Sequence, residues 1–455
     1  MVPVKKKVHC RGTENETVKK FFWIPPLLSM SFLAAHLLRQ GDFGLMTAFL
    51  ALAGLMTTRQ AWVRWGMVAA LVWGGFIWAD TTVHLVHFRQ AFDLPWRRLA
   101  VIMTGLIVFN GFAVMALLSQ RASSFFSVAR DSSLGRTAIF VLTIMGLALA
   151  RAKVPFPILL ADRYLPGWGW AEIFALGLYA QWIGGRMMKP RGHRMVRPRI
   201  WALFSAVFFL QLALGLLGME QMLMTGTLHL PVPALIFGGP VFRGTGFFML
   251  ILFSVTIFLV GPAWCSHLCY IGAWDDSLSR LGPRPAPKEG LRRLSLWGRG
   301  ATLVLTIMTA VVLRSMGIPG SSAIVFAMFF GLLGVGIMAF VSRKMGMMTH
   351  CTTFCPMGLV ANILGKISPW RIRIGSDCTR CGACYTRCRY NALDESRVTL
   401  GRPALSCTLC GDCVSACAHK QIGYSFPGLS GENARTLFIV LVVTLHAIFL
   451  GVARI

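Results

Sequence analysis

Long apolar stretches recur from Phe21 to Val452, and they constrain the fold more than any other feature of the chain. A helix needs about 20 consecutive apolar residues to cross a bilayer, and repeated runs of this length are typical of polytopic membrane proteins. We predict eleven membrane spans, at residues 21–38, 43–58, 65–83, 99–118, 137–154, 168–185, 200–219, 245–263, 300–317, 321–341 and 435–452.

The charge of the chain is distributed between these runs. Only 14% of the 455 residues are charged, whereas about 25% is usual for a soluble domain. The formal charge of +28 would suggest nucleic-acid binding in a soluble protein, but here Lys and Arg concentrate in alternate loops, the positive-inside pattern. This pattern excludes nucleic acid as a partner. It predicts a multi-pass protein of a bacterial-type inner membrane, with residues 1–20 and 342–434 in the cytoplasm.

Two cysteine runs carry the most specific chemical signal. Residues 378–388 read "CTRCGACYTRC" and residues 407–417 read "CTLCGDCVSAC". Both have the C-x2-C-x2-C-x3-C spacing of two-cluster ferredoxins, in which the fourth cysteine of each run ligates the other cluster. Gly382 and Gly411 occupy matching positions, where a small residue allows a close turn. The predicted ligands are Cys378, Cys381, Cys384 and Cys417 for one [4Fe–4S] cluster, and Cys407, Cys410, Cys413 and Cys388 for the other.

A zinc site or disulfides are the structural alternatives for these runs. Disulfides are rare in a reducing cytoplasm, and a zinc site needs only one set of four ligands. Two [4Fe–4S] clusters therefore explain the tandem spacing best. Arg389 and Ala418 stand where such ferredoxins usually have a proline, which leaves the number of ligands unchanged.

A second cysteine pattern is repeated at the ends of two pairs of spans. "WCSHLCYIGAW" at 264–274 matches "HCTTFCPMGLV" at 350–360, each with C-x3-C and a glycine three residues later. Residues four apart share a helix face, so two such helix pairs around a pseudo-twofold axis would bring four thiols together. These are Cys265, Cys269, Cys351 and Cys355, the predicted ligands of an additional iron–sulfur or metal centre. A redox dithiol and buried, inert cysteines remain open as alternatives.

Together these motifs resemble the NosR/NapH-type family of membrane electron-transfer proteins. The resemblance covers residues 200–425 and rests on "CSHLC", "CTTFCP" and the two ferredoxin-type runs. It implies quinol oxidation and electron delivery to, or maturation of, respiratory reductases; a related branch reduces metals during oxidase assembly. The chain departs from the family pattern at Tyr270, which replaces a proline, and in the extra spans before residue 200. No counterpart of the flavin-bearing domain of NosR is apparent.

A membrane electron carrier needs a mobile redox partner, and a quinone is the natural hypothesis. Quinone chemistry requires an apolar slot with proton-exchanging groups. The outer loop that follows the seventh span is apolar and rich in Gly and Pro. Its Glu220 and His229, with Arg243, are the quinone-site candidates. An ordinary loop packed on the helix ends is equally compatible with this composition.

Three histidines of the N-terminal spans are further candidates. His36 lies at the outer end of the first span, and His84 and His87 lie at the outer end of the third. Histidine is costly inside a membrane unless it has a role, so proton transfer or haem b ligation stays open. Interfacial histidines satisfied by water or backbone groups are the simpler interpretation.

The predicted fold is an all-α membrane bundle of about eleven helices, with a small α+β ferredoxin-like module on its cytoplasmic side. The predicted parts are a cytoplasmic segment (1–20), a four-helix membrane module (21–136), a two-helix segment with a basic loop (137–199), a four-helix core with both C-x3-C motifs (200–370), the ferredoxin module (371–425) and a last span (435–452).

The predicted function is electron exchange between membrane quinone and [4Fe–4S] clusters that serve a partner redox protein, as a quinol dehydrogenase-type subunit of a larger membrane complex. The alternative is an accessory factor that matures a metalloenzyme and uses the cysteine pairs for metal or thiol redox chemistry.

Overall fold

The computed structural model describes residues 23–119, 122, 125–126, 130–189, 191–223, 230–429 and 431–452. Within them the chain is mainly helical. The helices are α1 (Ile24–Gln40), α2 (Phe43–Leu55), α3 (Ala61–Ala91), α4 (Arg97–Leu118), α5 (Arg130–Lys153), α6 (Leu160–Tyr164), α7 (Gly169–Met187), α8 (Gly192–Leu216), α9 (Leu235–Arg243), α10 (Phe248–Val260), α11 (Trp264–His267), α12 (Tyr270–Arg280), α13 (Glu289–Ser315), α14 (Gly320–Gly336), α15 (Arg343–Met345), α16 (Pro356–Leu364), α17 (Glu395–Thr399), α18 (Asp412–Ala416) and α19 (Gly431–Val452). The strands are β1 (Arg371–Ile374) and β2 (Ile422–Ser425).

Eight helices of the described chain are long and apolar enough to cross a membrane. They are Trp62–Ala91, Arg97–Leu118, Leu134–Lys153, Gly192–Leu216, Phe248–His267, Glu289–Ser315, Gly320–Met345 and Gly431–Val452. The other three predicted spans, at 21–38, 43–58 and 168–185, coincide with α1, α2 and α7, which are shorter or less apolar. A multi-pass membrane protein is consistent with these helices, whereas the count of eleven and the orientation stay predictions.

The described residues up to Thr137 form one compact unit, in which a buried asparagine ties three helices together. The Asn110 side chain of α4 accepts a 2.6 Å hydrogen bond from the Ser29 hydroxyl of α1. It also donates a 2.7 Å hydrogen bond to the Leu71 carbonyl of α3. A buried amide in an apolar bundle is expensive unless it is bonded in this way.

The residues from Ala138 onward form the second compact unit. Helices α5, α7, α8 and α19 pack around one apolar core, because each presents a stripe of aliphatic side chains to the others. Its buried members are Ile139, Ala180, Ile183, Met187, Ile200, Ile439, Val440, Val443 and Ala447. In the same unit, α10 to α12 and α14 to α16 have the same order of elements. In each, a long apolar helix is followed by a short helical turn that carries the first cysteine of a pair, Trp264–His267 or His350–Phe354, and then by a helix that the second cysteine caps.

The ferredoxin-like module contains a two-stranded antiparallel sheet that brings its ends together. In β1 and β2, Ile372 pairs with Tyr424 and Ile374 with Ile422, and all four side chains are buried. The Tyr424 ring stacks on a phenylalanine of α19, with 4.3 Å between the ring centroids. The module is thereby packed directly on a membrane helix.

Buried ion pairs fix the module to the membrane helices. The Arg197 guanidinium of α8 has no exposed side-chain surface, and it lies 3.0 Å from Asp412 of the module and 3.4 Å from Asp276 of α12. Arg280 bridges the same two carboxylates. A second anchor is Arg389, whose guanidinium donates to two backbone carbonyls, one at the end of α12 and one after α15. Arginine at this position therefore docks the module where related ferredoxins carry a proline.

Replacing Arg197 with methionine is expected to destabilise the docked module by about 3 kcal/mol, because it leaves two buried carboxylates with only the partly exposed Arg280 as their counter-charge. Thermal unfolding of the purified protein in detergent, with limited proteolysis of the module, measures the effect. Arg199→Met on the exposed face of the same helix is the matched control. Equal melting temperatures for the two variants would contradict the assigned role.

Candidate iron–sulfur sites

The four cysteines of the C-x3-C repeats line one cavity. Cys265, Cys269, Cys351 and Cys355, here called the C-x3-C set, surround about 370 Å³ of space, including the part open to solvent. Three of them are less than 10% exposed, and Cys351 is half-buried. The cavity lies at the junction of α11 with α12 and of the 350–354 turn with α16. The structure thus brings together two motifs that lie 86 residues apart in the sequence.

The second cysteine of each pair has the same local structure. Cys269 and Cys355 both occupy the N-cap position of the following helix, with φ/ψ of −78°/114° and −69°/116°. The Cys269 sulfur accepts a 3.4 Å hydrogen bond from the Gly272 amide. Because the first position of a helix needs no amide hydrogen bond, Tyr270 serves there as well as Pro356. The missing proline therefore leaves the cysteine geometry unchanged.

The two repeated glycines allow a close approach that any larger residue would block. A Cβ on Gly272 would lie 2.9 Å from the Cys265 carbonyl oxygen, and one on Gly358 would lie 2.8 Å from that of Cys351. Each glycine thus lets its helix pack against the turn that carries the first cysteine. The repeat predicted from the sequence is also a repeat in three dimensions.

Burial sets the protonation of these thiols in the free protein. It raises the pKa of Cys269 to about 12 and that of Cys351 well above its ordinary value, the latter also because Asp275 is close. The Asp275 carboxylate accepts a 2.9 Å hydrogen bond from the Cys351 amide and is itself fully buried. Metal binding replaces the thiol protons, so a bound positive centre would compensate the buried charge.

The first ferredoxin-type run forms a second cavity with one cysteine of the other run. Cys378, Cys381, Cys384 and Cys417, here called the first ferredoxin set, line about 330 Å³ of space, including its open part. Cys381 is exposed and Cys384 is buried. The structure therefore places Cys417 in one cavity with three cysteines of the other run. That these four bind one cluster stays a prediction.

The remaining four cysteines, Cys388, Cys407, Cys410 and Cys413, form the second ferredoxin set. Burial raises the pKa of Cys413 well above its ordinary value, and the other three cysteines, being close, raise it further. Burial likewise raises the pKa of Cys407 to about 12 and that of Cys388 to about 11. The Cys388 sulfur accepts a 3.3 Å hydrogen bond from the Ala392 amide.

The two runs have the same backbone path. Residues with a left-handed backbone conformation stand at three equivalent positions. These lie two residues after the first cysteine of each run, one residue after the second and three residues after the fourth. These pairs are Arg380 and Leu409 (φ 53° and 56°), Gly382 and Gly411 (77° and 75°), and Asn391 and Lys420 (51° and 54°). The matching turns indicate that the two runs fold in the same way around their cysteines.

The spacing of the sulfurs tests which group these sites fit. In the described part of the chain, no three His, Cys, Asp or Glu residues are close enough to hold a single metal ion. A zinc site would need all four sulfurs about 2.3 Å from one point. A four-iron cluster keeps its thiolates farther apart, because each cysteine binds a different iron. Four cysteines that line one cavity without being close enough to hold a single ion fit a cluster better than one ion.

The three sets are neighbours in space. One apolar core, containing Trp201 and Tyr390, packs against Cys351 of the C-x3-C set and against Cys388, Cys407 and Cys410 of the second ferredoxin set. A second core includes both Cys384 and Cys413, and so joins the two ferredoxin sets. Each core therefore links the second ferredoxin set to one of the other two sets.

The quinone-site candidates are only partly described. His229 lies outside the described residues. Glu220 and Arg243 are exposed, and no described contact joins them. The loop between them, however, contains α9, which packs against α13, and the residues just before α9 contact α14. Val232 contacts the position of Gly331 in α14, and Gly238 contacts Thr306 in α13.

Two of the three N-terminal histidines have ordinary polar partners in the structure, and the third is exposed. His36 Nε2 lies 3.2 Å from the Thr81 hydroxyl and 3.0 Å from the Gln40 amide nitrogen. His84 pairs with Asp80 at 3.5 Å, with both side chains mostly exposed. His87 is exposed. Their haem or proton-carrying roles stay predictions.

Several buried contacts of polar residues are not predicted by the sequence pattern. His193 Nε2 lies 3.2 Å from His267 Nε2 in a buried pair, and Tyr179 contacts His446 at 3.1 Å. Arg299 lines the C-x3-C cavity. A charged residue at the edge of an apolar run was the available signal for Arg299, whereas the histidine pairs join distant segments that no local pattern connects.

Comparison with known proteins supports an iron–sulfur assignment. A family model described as a 4Fe-4S binding domain matches residues 242–289 and 325–375, segments that include both C-x3-C motifs. No curated protein and no solved structure matches the chain. With the eight apolar helices, this match indicates a membrane-associated iron–sulfur electron-transfer protein.

Proposed function

We propose that the chain is an integral-membrane subunit of the NosR/NapH type, which exchanges electrons between a membrane quinone and iron–sulfur clusters that serve a partner redox protein. The observation that carries the proposal is that one four-cysteine set lies at the ends of the membrane helices and two lie in the ferredoxin-like module, with shared apolar cores that link them. The Lys and Arg distribution supports a cytoplasmic location for the module in a bacterial-type inner membrane.

Each set supplies four thiolates to one cluster. Bound clusters of this kind accept and donate single electrons over a wide range of potentials. The protein residues hold the sulfurs apart, exclude water and donate amide hydrogen bonds, as Gly272 and Ala392 do to Cys269 and Cys388. Hydrogen bonds to sulfur and burial are the features that tune such potentials.

The position of α9 supports quinone access near the C-x3-C set. Ile236 and Phe237 of α9 pack on the same apolar core that contains Cys265, Cys269 and Cys355. Because Gly238 contacts the middle part of α13 at Thr306, the segment runs alongside the membrane helices instead of covering their ends. An apolar re-entrant helix of this kind would give a lipid-soluble quinone a contact surface beside the cysteines.

Burial distinguishes electron transfer from the accessory-factor alternative. A factor that exchanges thiols or hands over a metal must expose its cysteines to the recipient. Cys265, Cys269 and Cys355 are each less than 10% exposed. The C-x3-C set is therefore better suited to a permanent centre than to exchange with another protein.

Quinol-dependent reduction of the clusters tests this function. Anaerobically purified protein mixed with reduced menadione is expected to lose iron–sulfur absorbance, as it does with dithionite. Gly238→Val, which would force α9 away from Thr306, is expected to slow the quinol reaction at least several-fold and to leave the dithionite reaction unchanged. The matched control is Gly320→Val at the start of α14, where an added side chain meets no neighbour within 4 Å.

Reduction by dithionite but not by quinol would contradict the quinone function. That result would favour the accessory factor, the second candidate.

A further inference from the structure

Arg299 is a buried charge in an unusual place. It belongs to α13, one of the eight helices able to cross a membrane, and it is 1% exposed. A charged side chain in such a helix is costly unless an opposite charge compensates it. The chain must therefore supply a counter-charge for this guanidinium.

The hydrogen bonds of Arg299 are made to neutral groups. Its Nε and Nη2 each donate 2.9 Å hydrogen bonds to the Ser295 carbonyl and hydroxyl of the preceding turn. Within the described chain, no ion pair joins Arg299 to a carboxylate. These contacts orient the guanidinium without neutralising it.

The cysteines are the groups of the cavity that become anionic when a metal centre replaces their protons. Arg299 lines the same cavity as the C-x3-C set. Its Nη1 also lies 3.6 Å from the position that a Cβ on Gly358 would take, on the helix that Cys355 caps.

The surroundings of Arg197 differ from those of Arg299. Arg197 is equally buried in another membrane helix, but two carboxylates neutralise it, those of Asp276 and Asp412. The fold therefore does supply acidic partners to a buried arginine that has a structural role. At Arg299 the place of those partners is taken by the four thiols.

We propose that Arg299 is the counter-ion of an anionic cluster held by the C-x3-C set, and that it raises the reduction potential of that centre. Four thiolates and a [4Fe–4S] core carry net negative charge, and reduction adds one more negative charge. A fixed positive charge beside the centre stabilises the reduced form more than the oxidised form. The inference rests on the third cluster of the proposed function.

The test is an anaerobic redox titration followed by electron paramagnetic resonance, with iron content measured on the same samples. In Arg299→Gln, the signal that depends on Cys351 is expected at a lower midpoint potential. The reduction equilibrium should change about tenfold or more, which is ~59 mV for one electron. Arg299→Lys should keep most of the wild-type potential. Arg314→Gln, at the exposed far end of the same helix, is the matched control and should leave it unchanged.

The outcomes separate this inference from the third cluster itself. An unchanged potential in Arg299→Gln with full iron content would overturn the inference and leave the cluster in place. If Arg299→Gln loses the iron of this site, Arg299→Lys must retain it; loss in both variants would show that positive charge is not what the site needs. If no signal or iron depends on Cys351, the third cluster fails, and the inference fails with it.

Discussion

Replacing Cys351 and Cys355 together with serine is expected to lower the iron content from about twelve to about eight atoms per chain, with an equal loss of acid-labile sulfide. The reason is that both cysteines line the C-x3-C cavity, whereas neither belongs to the two ferredoxin sets. Serine preserves the size of the side chains but removes two of the four thiolates. The measurement is iron and sulfide analysis of anaerobically purified protein.

The internal repeat provides a strong control for this prediction. Cys265→Ser with Cys269→Ser should cause the same loss, because these residues supply the other half of the same cavity. Cys10→Ser, which replaces the one cysteine outside all three sets, should leave both contents unchanged. A full iron content in both double variants would mean that the C-x3-C set binds no cluster, so that buried or redox-active thiols would remain as its interpretation.

Cysteine spacing could predict the backbone of each motif because the geometry within a motif is local. Within each run, the left-handed turns at Gly382 and Gly411 follow directly from the C-x2-C-x2-C spacing and the small residue. The C-x3-C repeat is equally evident from the sequence, since Gly272 and Gly358 each lie three residues after the second cysteine of their motif. Tyr270 stands where the repeat usually has a proline, and the backbone conformation of the N-cap Cys269 is the same as that of Cys355.

The contacts between distant segments could not be predicted in the same way. Arg299 stands one residue before the predicted span at 300–317, so hydropathy alone assigns it to the basic loop that precedes this span. Only the packing of α13 against the 350–354 turn brings it to the cysteines. The His193–His267 pair likewise joins residues 74 apart in the chain. Their partners are fixed by helix packing, which periodicity does not encode.

Hydropathy identified apolar helices more surely than it identified membrane crossings. All eleven predicted spans coincide with helices, but α1 and α2 have 17 and 13 residues, short of the ~20 that a bilayer requires. In α7, polar residues such as the buried Gln181 lower the mean hydropathy of a helix that otherwise contributes to the core. An apolar run therefore predicts a helix that is shielded from water, and the shielding surface can be protein as well as lipid.

Cys417→Ser is expected to give the phenotype of Cys381→Ser, although Cys417 follows the Cys407–Cys413 run in the sequence. The structure places Cys417 in the cavity of the first ferredoxin set, beside Cys378 and Cys384. Loss of one thiolate weakens the cluster to which it binds, so each of these two variants should lose up to about four irons and the same resonance signal. Iron analysis and electron paramagnetic resonance of the dithionite-reduced protein measure both effects.

The reciprocal variant makes the crossed arrangement testable without reference to absolute iron counts. Cys388→Ser should reproduce the spectrum of Cys410→Ser, because Cys388 lies among the sulfurs of the second ferredoxin set. Brief exposure to air provides a second comparison, since Cys381 is exposed while Cys413 is buried. In wild-type protein the signal lost in Cys417→Ser should therefore disappear first. If Cys417→Ser matched Cys410→Ser instead, each run would hold its own cluster, and the crossed assignment of both ferredoxin sets would be wrong.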